Sequence, residues 1–153
     1  MLLFHGAFEQ KIDEKGRANV PIKFREVLRG EGDERLMITN SRVRGARCLD
    51  AYPYNVWVER VQRETQRAPQ MNPRELAYYF DFYIPEVHEC PIDKQGRLFI
   101  PTRLREFASL GREVLFTGVS GMIQLWNPQA RQPVYSSAEE VADDPGFIPG
   151  FRF

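Results

Sequence analysis

The chain has 153 residues with 21 basic and 21 acidic side chains, and 42% of its residues are hydrophobic. This composition suits a folded core, in one domain or in two small ones that share it, and excludes a disordered chain. No run of about 18 apolar residues occurs and the first residues lack the pattern of a signal peptide, so we expect no membrane span and a cytoplasmic location.

The first half of the chain reads as a strand, a tight turn, a second strand, a helix and a hairpin. Asp13 can bond backbone N–H groups and Gly16 can adopt a positive φ, which together are the chemistry of a turn. Pro21 suits the first turn of a helix, and Gly30 or Gly32 ends that helix. The predicted elements are strands over 7–12 and 17–20, a helix from 21 to about 30, and paired strands over 36–39 and 48–52, joined by an arginine-rich loop over 42–47.

Two helices are predicted between the halves. Residues 54–66 carry apolar side chains at amphipathic helical spacing. The second helix begins at Asn72, which can cap it while Glu75 reaches back, and it runs to about Tyr83. Its aromatic side chains are typical of a core or a subunit interface.

The second half repeats the plan of the first. Its predicted elements are strands over 87–92 and 97–100 around a turn at 93–96, a helix over 101–108, and paired strands over 114–117 and 122–126. From Pro128 onward, prolines and glycines occur without periodicity, which predicts a flexible tail. The predicted organisation is a first half-domain over 4–53, connecting helices over 54–84, a second half-domain over 85–127 and a tail over 128–153.

A fifteen-residue segment occurs twice in the chain. Residues 12–26 and 92–106 are identical at seven positions, and others exchange like for like, as Val20 and Ile100 do. Two copies are too few for a solenoid, which needs several stacked units. The repeat therefore predicts two half-domains related by a pseudo-two-fold axis, with their two Asp-x-x-Gly-Arg turns displayed as a pair.

These turns are the candidate functional site. A rigid two-stranded ribbon fits the major groove of DNA, and the planar guanidinium of arginine can bind phosphates and guanine edges through two bonds. Seventeen of the 21 basic residues are arginine. The predicted DNA-binding residues are Arg17, Arg97, Lys15, Lys94 and Gln95, and the predicted turn-forming residues are Asp13, Gly16, Asp93 and Gly96.

Two other interpretations of the turns are open. Asp13 can serve only to stabilise its turn by pairing with Arg17, and the duplication can be purely structural. Alternatively, Asp13 and Asp93 can form an aspartic-protease dyad that shares one proton. The dyad is disfavoured because its small hydroxyl and glycine neighbours are missing and because a nearby cation lowers a carboxyl pKa.

The rest of the sequence gives no sign of catalysis. Cys48, Cys90, His5 and His88 have no metal-motif spacing, and both cysteines read as small buried apolar residues. No phosphate-binding glycine loop and no nucleophile elbow occurs. We therefore predict no metal, no cofactor, no small-molecule substrate and no enzymatic activity.

The two motif copies, their separation and the helices between them resemble the MraZ family of bacterial transcriptional regulators, encoded beside division and cell-wall genes. The likeness covers about residues 2–127 and includes the opening segment at 4–8. It implies an α+β fold of two AbrB-like swapped-hairpin half-domains, with helices between and flanking them. It also implies a closed homo-oligomeric ring that binds short direct repeats of double-stranded promoter DNA.

The resemblance carries over to individual residues. Arg17 and Arg97 match the family's DNA-facing arginines, Lys15 matches the turn lysine, and Gln95 takes the same place in the second copy. The sequence thus predicts a nucleoid-associated, non-enzymatic regulator. The alternative is an AbrB-like interaction module of the antitoxin type, whose tail binds a partner protein.

Overall fold

The computed structural model describes residues 3–150, which form an α+β fold. Its strands are β1 (Ala7–Lys11), β2 (Arg17–Asn19), β3 (Arg35–Val43), β4 (Ala46–Pro53), β5 (His88–Pro91), β6 (Arg97–Phe99), β7 (Glu113–Val119) and β8 (Met122–Trp126). Its α-helices are α1 (Ile22–Gly30), α2 (Tyr54–Arg67), α3 (Pro73–Ala77), α4 (Thr102–Phe107) and α5 (Pro128–Asp143). No helix within 3–150 is both long enough and apolar enough to cross a membrane.

The two halves exchange strands. The larger sheet is antiparallel with the order β1-β7-β8-β4-β3-β5, and β2 and β6 form a separate two-stranded ribbon. β1 belongs to the first half but pairs with β7 of the second, with Ala7 opposite Thr117. In the same way β5 pairs with β3, with Cys90 opposite Leu36. Each half therefore completes the sheet of the other.

The main core is built from equivalent positions of the two repeats. In α1, Phe24 and Leu28 are one helical turn apart, so they face the same side and are buried. Leu104, the counterpart of Phe24 in α4, is also fully buried. Phe4 packs edge-to-face on Phe24 with ring centroids 5.5 Å apart. Side chains of both halves therefore pack into one core.

The hairpin of β3 and β4 is longer than the sequence predicted. Arg42 pairs with Arg47 within the strands, and only Arg44 and Gly45 form the turn. Their φ values of 50° and 84° are those of a type I′ turn, which matches the twist of the flanking strands. The predicted loop over 42–47 was therefore wrong in length, because a two-residue turn is enough to reverse the chain here.

The connecting helices cover a second, more polar core. Asn72 accepts from the backbone N–H of Glu75 at 2.9 Å, which confirms the predicted capping box, and a π-helical segment, Tyr78–Tyr83, continues from α3. There the hydroxyl of Tyr83 donates to the buried Asp50. Burial raises the pKa of Asp50 above its ordinary value.

The segment after β8 corrects another prediction. We expected no regular structure from Pro128 onward, but Pro128–Asp143 is a helix. Asn127 caps it by accepting from the backbone N–H groups of Gln129 and Ala130, and Pro128 occupies a first-turn position where it costs no hydrogen bond. Phe147 and Ile148, beyond the helix, are exposed.

The centre of the ribbon offers a test of the pseudo-two-fold packing. Ala18 and Leu98 are directly opposite and both are buried. We expect Leu98→Ala to lower the free energy of unfolding by about 2–5 kcal/mol, and Ala18→Leu to lower it by about 1–3 kcal/mol through overpacking. The double variant exchanges the large and the small side chain, so its loss of unfolding free energy should be smaller than the sum of the losses of the two single variants.

Urea unfolding measures all three variants. Asn19→Ala, on the exposed side of the same ribbon, is the control and should cost about 0.5 kcal/mol or less. Strictly additive costs in the double variant would contradict direct packing of these two side chains.

Candidate nucleic-acid interface

The first turn, residues 13–16, is organised by one carboxylate. Asp13 Oδ1 accepts from the backbone N–H groups of Lys15 and Arg17, each at 2.9 Å. Asp13 Oδ2 accepts from Arg17 Nε, also at 2.9 Å. The backbone φ of Gly16 is 84°, a value that residues with a Cβ rarely adopt. The turn thus fixes both its own backbone and the first arginine after it.

The second turn, residues 93–96, has the same geometry. Asp93 Oδ1 accepts from the backbone N–H groups of Gln95 and Arg97, and Oδ2 accepts from Arg97 Nε, all at 2.9 Å. Gly96 also has φ of 84°. One difference stands out: Gln95 Oε1 accepts from Arg97 Nη2 at 3.3 Å, so this guanidinium has an additional support.

The hydrogen bonds shift the acidity of both carboxyls. The backbone N–H of Arg17 is the main cause that holds the pKa of Asp13 below its ordinary value, and that of Arg97 does the same for the pKa of Asp93. Each carboxylate is thus engaged by the arginine of its own turn. A dyad that shares a proton would need one raised pKa, so the geometry argues against the aspartic-protease interpretation.

The ribbon places both arginines on one face. β2 and β6 are antiparallel, with Arg17 opposite Phe99 and Arg97 opposite Asn19. Because side chains alternate along a strand, these four residues share a face, and Ala18 and Leu98 point to the core. Asn19 and Phe99 are exposed on that face, and Phe99 retains 49% of its surface. Neither was predicted, although the period-two alternation contained the signal.

The predicted site residues all lie in or beside the two turns. Lys15, Lys94 and Gln95 are exposed, whereas Gly16 and Gly96 are buried. Arg17 and Arg97 keep 27% and 33% of their side-chain surface exposed. Their ion pairs with Asp13 and Asp93 confirm the stabilising bond that the structural interpretation required. That bond occupies Nε of each arginine, and within residues 3–150 no hydrogen bond joins an Nη group of either arginine to a carboxylate.

Two further arginines contribute to the unit and were missed. Arg105 lies against Gly16, and Arg25 lies against Gly96. The sequence shows that arginine occupies the same position in both repeats. It does not indicate which turn each of these arginines contacts. The result is a ribbon with an ordered, arginine-bearing turn at each end, joined to a shared core. Such a duplicated β-ribbon defines the class of protein: a scaffold that presents arginines in a set geometry.

Comparison with known proteins gives the family. The sequence model of the MraZ protein family, described as antitoxin-like, matches residues 3–80 and 84–143. The transcriptional regulator MraZ of Syntrophobacter fumaroxidans is 38% identical to this chain. The alignment covers 81% of this chain and 79% of the relative. The MraZ regulator of Desulforamulus reducens is 34% identical, and the alignment covers 92% of this chain and 99% of the relative. The MraZ regulator of Geobacter sulfurreducens is 38% identical, and the alignment covers 86% of this chain and 87% of the relative. The chain belongs to the MraZ family.

The two carboxylates predict a pH dependence of stability. Because the folded-state pKa values of Asp13 and Asp93 are lowered, both groups stabilise the fold above the unfolded pKa, about 3.9, and this contribution is lost as pH falls through the folded values. The double variant Asp13→Asn/Asp93→Asn should lose that part of the acid dependence.

Two measurements check this expectation. Urea unfolding between about pH 2 and pH 7 compares the variant with the natural sequence, and carboxyl NMR titration reports each pKa directly. Titration midpoints at or above the ordinary aspartate value would contradict the geometry of the turns.

Proposed function

We propose that this protein is a sequence-specific DNA-binding transcriptional regulator without enzymatic activity, acting in the cytoplasm in association with the nucleoid. One observation carries the proposal: a two-stranded ribbon presents Arg17 and Arg97 on a single face, each held at Nε by an aspartate. A two-stranded ribbon fits the major groove, and a guanidinium held at Nε can direct its Nη groups to a guanine edge or a phosphate. The names of the relatives support the same function.

Each predicted contact residue has a role in this proposal. Arg17 and Arg97 bind base edges or phosphates, and the exposed Lys15, Lys94 and Gln95 add contacts to DNA phosphates or base edges. Asp13 and Asp93 orient the arginines and do not touch DNA, because a carboxylate beside a phosphate is repelled.

Affinity in this proposal comes from many weak contacts. The chain has no net charge, so one copy gains little from general attraction to a polyanion. A closed ring of AbrB-like, swapped-hairpin subunits would engage successive direct repeats of a promoter, such as that of division and cell-wall genes. Linking the sites in this way raises the overall affinity by orders of magnitude without new contacts.

A second candidate is an antitoxin-type interaction module. It is supported by the description of the family as antitoxin-like and by the exposed, acidic end of α5, where Glu139, Glu140 and Asp143 lie. Purification from its own cells separates the two candidates. A stoichiometric small partner indicates the module, whereas a large homo-oligomer without a partner indicates the regulator.

The central test substitutes the two arginines. Arg17→Ala and Arg97→Ala should each weaken binding to the protein's own upstream promoter fragment by about 1–3 kcal/mol per engaged subunit if the arginine contacts a base edge. If the arginine contacts only phosphate, replacing it should instead weaken binding to both fragments alike, reduce the salt dependence and leave the preference over a scrambled fragment unchanged.

A salt titration of binding with both fragments measures this difference. Arg74→Ala removes the same charge from α3, away from the turns, and is the matched control. Unchanged promoter binding by a folded Arg17→Ala/Arg97→Ala protein would refute the site, and equal binding of both fragments by the natural protein would refute the function.

A further inference from the structure

The arginines at equivalent positions of the two repeats lie against the turns of the opposite halves. Arg105, on α4 of the second half, covers Gly16 of the first turn, where an added Cβ would be 2.8 Å from Arg105 Cζ. Arg25, on α1 of the first half, covers Gly96 of the second turn, where an added Cβ would be 2.8 Å from Arg25 Cζ. Cβ atoms essentially never approach other atoms this closely, so the glycines leave space for the guanidinium groups.

Arg105 is fastened beside the first turn. Its Nε donates to the backbone oxygen of Ile100 at 2.8 Å, and its Nη2 donates to Thr102 Oγ1 at 3.0 Å. The backbone N–H of Ile100 in turn donates to the backbone oxygen of Gly16 at 3.0 Å. One peptide segment of the second half therefore joins the arginine to the turn of the first half.

Arg25 is held differently at the second turn. Its side chain is only 13% exposed, and its Nη2 is 3.5 Å from Glu34 Oε1. Its Nε is buried without a hydrogen-bond partner among residues 3–150. Burying a guanidinium with so few partners costs free energy, and the group lies directly against Gly96. The backbone N–H of Val20 donates to the oxygen of Gly96 at 2.9 Å, which completes the same cross-half arrangement.

We infer that Arg25 and Arg105 are positioning residues that fix each turn from the opposite half, so that Arg17 and Arg97 keep a constant relative geometry. This inference rests on the proposed function in that the geometry serves DNA binding. The aspartate holds each turn from within, but glycine can adopt more backbone conformations than other residues, and ordering it on binding costs free energy. A guanidinium over each glycine removes that freedom beforehand.

Double-variant cycles on promoter affinity test the crossing directly. Arg105→Ala should reduce affinity about tenfold in the natural background. It should have little further effect together with Arg17→Ala, whose turn it supports, and its full effect together with Arg97→Ala. The mirror result is expected for Arg25→Ala, coupled to Arg97 and not to Arg17. Additive effects in every pair, as from an independent DNA contact, or coupling within one half would overturn the inference.

Hydrogen exchange of the free protein tests the same coupling without DNA. In Arg105→Ala, the amides of Lys15 and Arg17, which donate to Asp13, should exchange about tenfold faster, whereas those of Gln95 and Arg97 should not change. Unchanged exchange at the first turn would overturn the inference. If the natural protein fails to prefer its promoter, the proposed function fails, and this measurement still decides whether the arginines position the turns.

Neighbouring residues provide the controls. Lys23→Ala and Arg103→Ala alter equivalent positions on α1 and α4; Arg103 is 70% exposed and pairs with Glu86 at 2.7 Å rather than with a turn. Both should leave exchange in the turns unchanged. Arg105→Lys keeps the charge and loses the planar group that reaches Ile100, so it should behave as Arg105→Ala does. Full recovery by lysine would show that charge alone acts and would overturn the positioning role.

Discussion

The carboxylate at the start of each turn is the group on which the rest of the site depends. Asp13 satisfies two backbone N–H groups and one guanidinium with its two oxygens, and Asp93 repeats the arrangement. Because one side chain fixes both the backbone and the arginine, the direction of the guanidinium is set before any ligand arrives. An arginine on a flexible loop would have to lose that freedom on binding, at a cost in affinity.

The strand exchange explains how such small turns can be rigid. β2 and β6 have three residues each, too few for a stable ribbon alone. Each follows, across its turn, a strand that pairs in the other half: β1 pairs with β7, and β5 pairs with β3. Ala18 and Leu98 anchor the ribbon in the shared core from below. Movement of one turn must therefore disturb packing in both halves, which makes the site a property of the whole chain.

The sequence predicted the secondary-structure elements better than the tertiary contacts between them. The repeat indicated both turns, their glycines and the following helices, because local turn and capping chemistry is written in adjacent residues. It did not indicate that Arg105 covers Gly16, because internal similarity identifies equivalent residues and says nothing of which half they contact. Helix α5 was missed because Pro133 and the later prolines hide its pattern, although the Asn127 cap precedes it. The short turn at Arg44 and Gly45 required a positive φ at a non-glycine residue, which composition rarely reveals.

Because the two repeats lie in one chain, the ribbon can bind a ligand in one preferred orientation. A ribbon made by two identical chains has two identical ends, so it cannot distinguish one orientation of a ligand from the other. Here Lys15 stands where the second turn has Gln95, and Asn19 stands opposite an arginine where the other strand has Phe99. The two ends of this ribbon differ in charge and shape, so its surface has a polarity and can distinguish the two orientations of a molecule that lies along it.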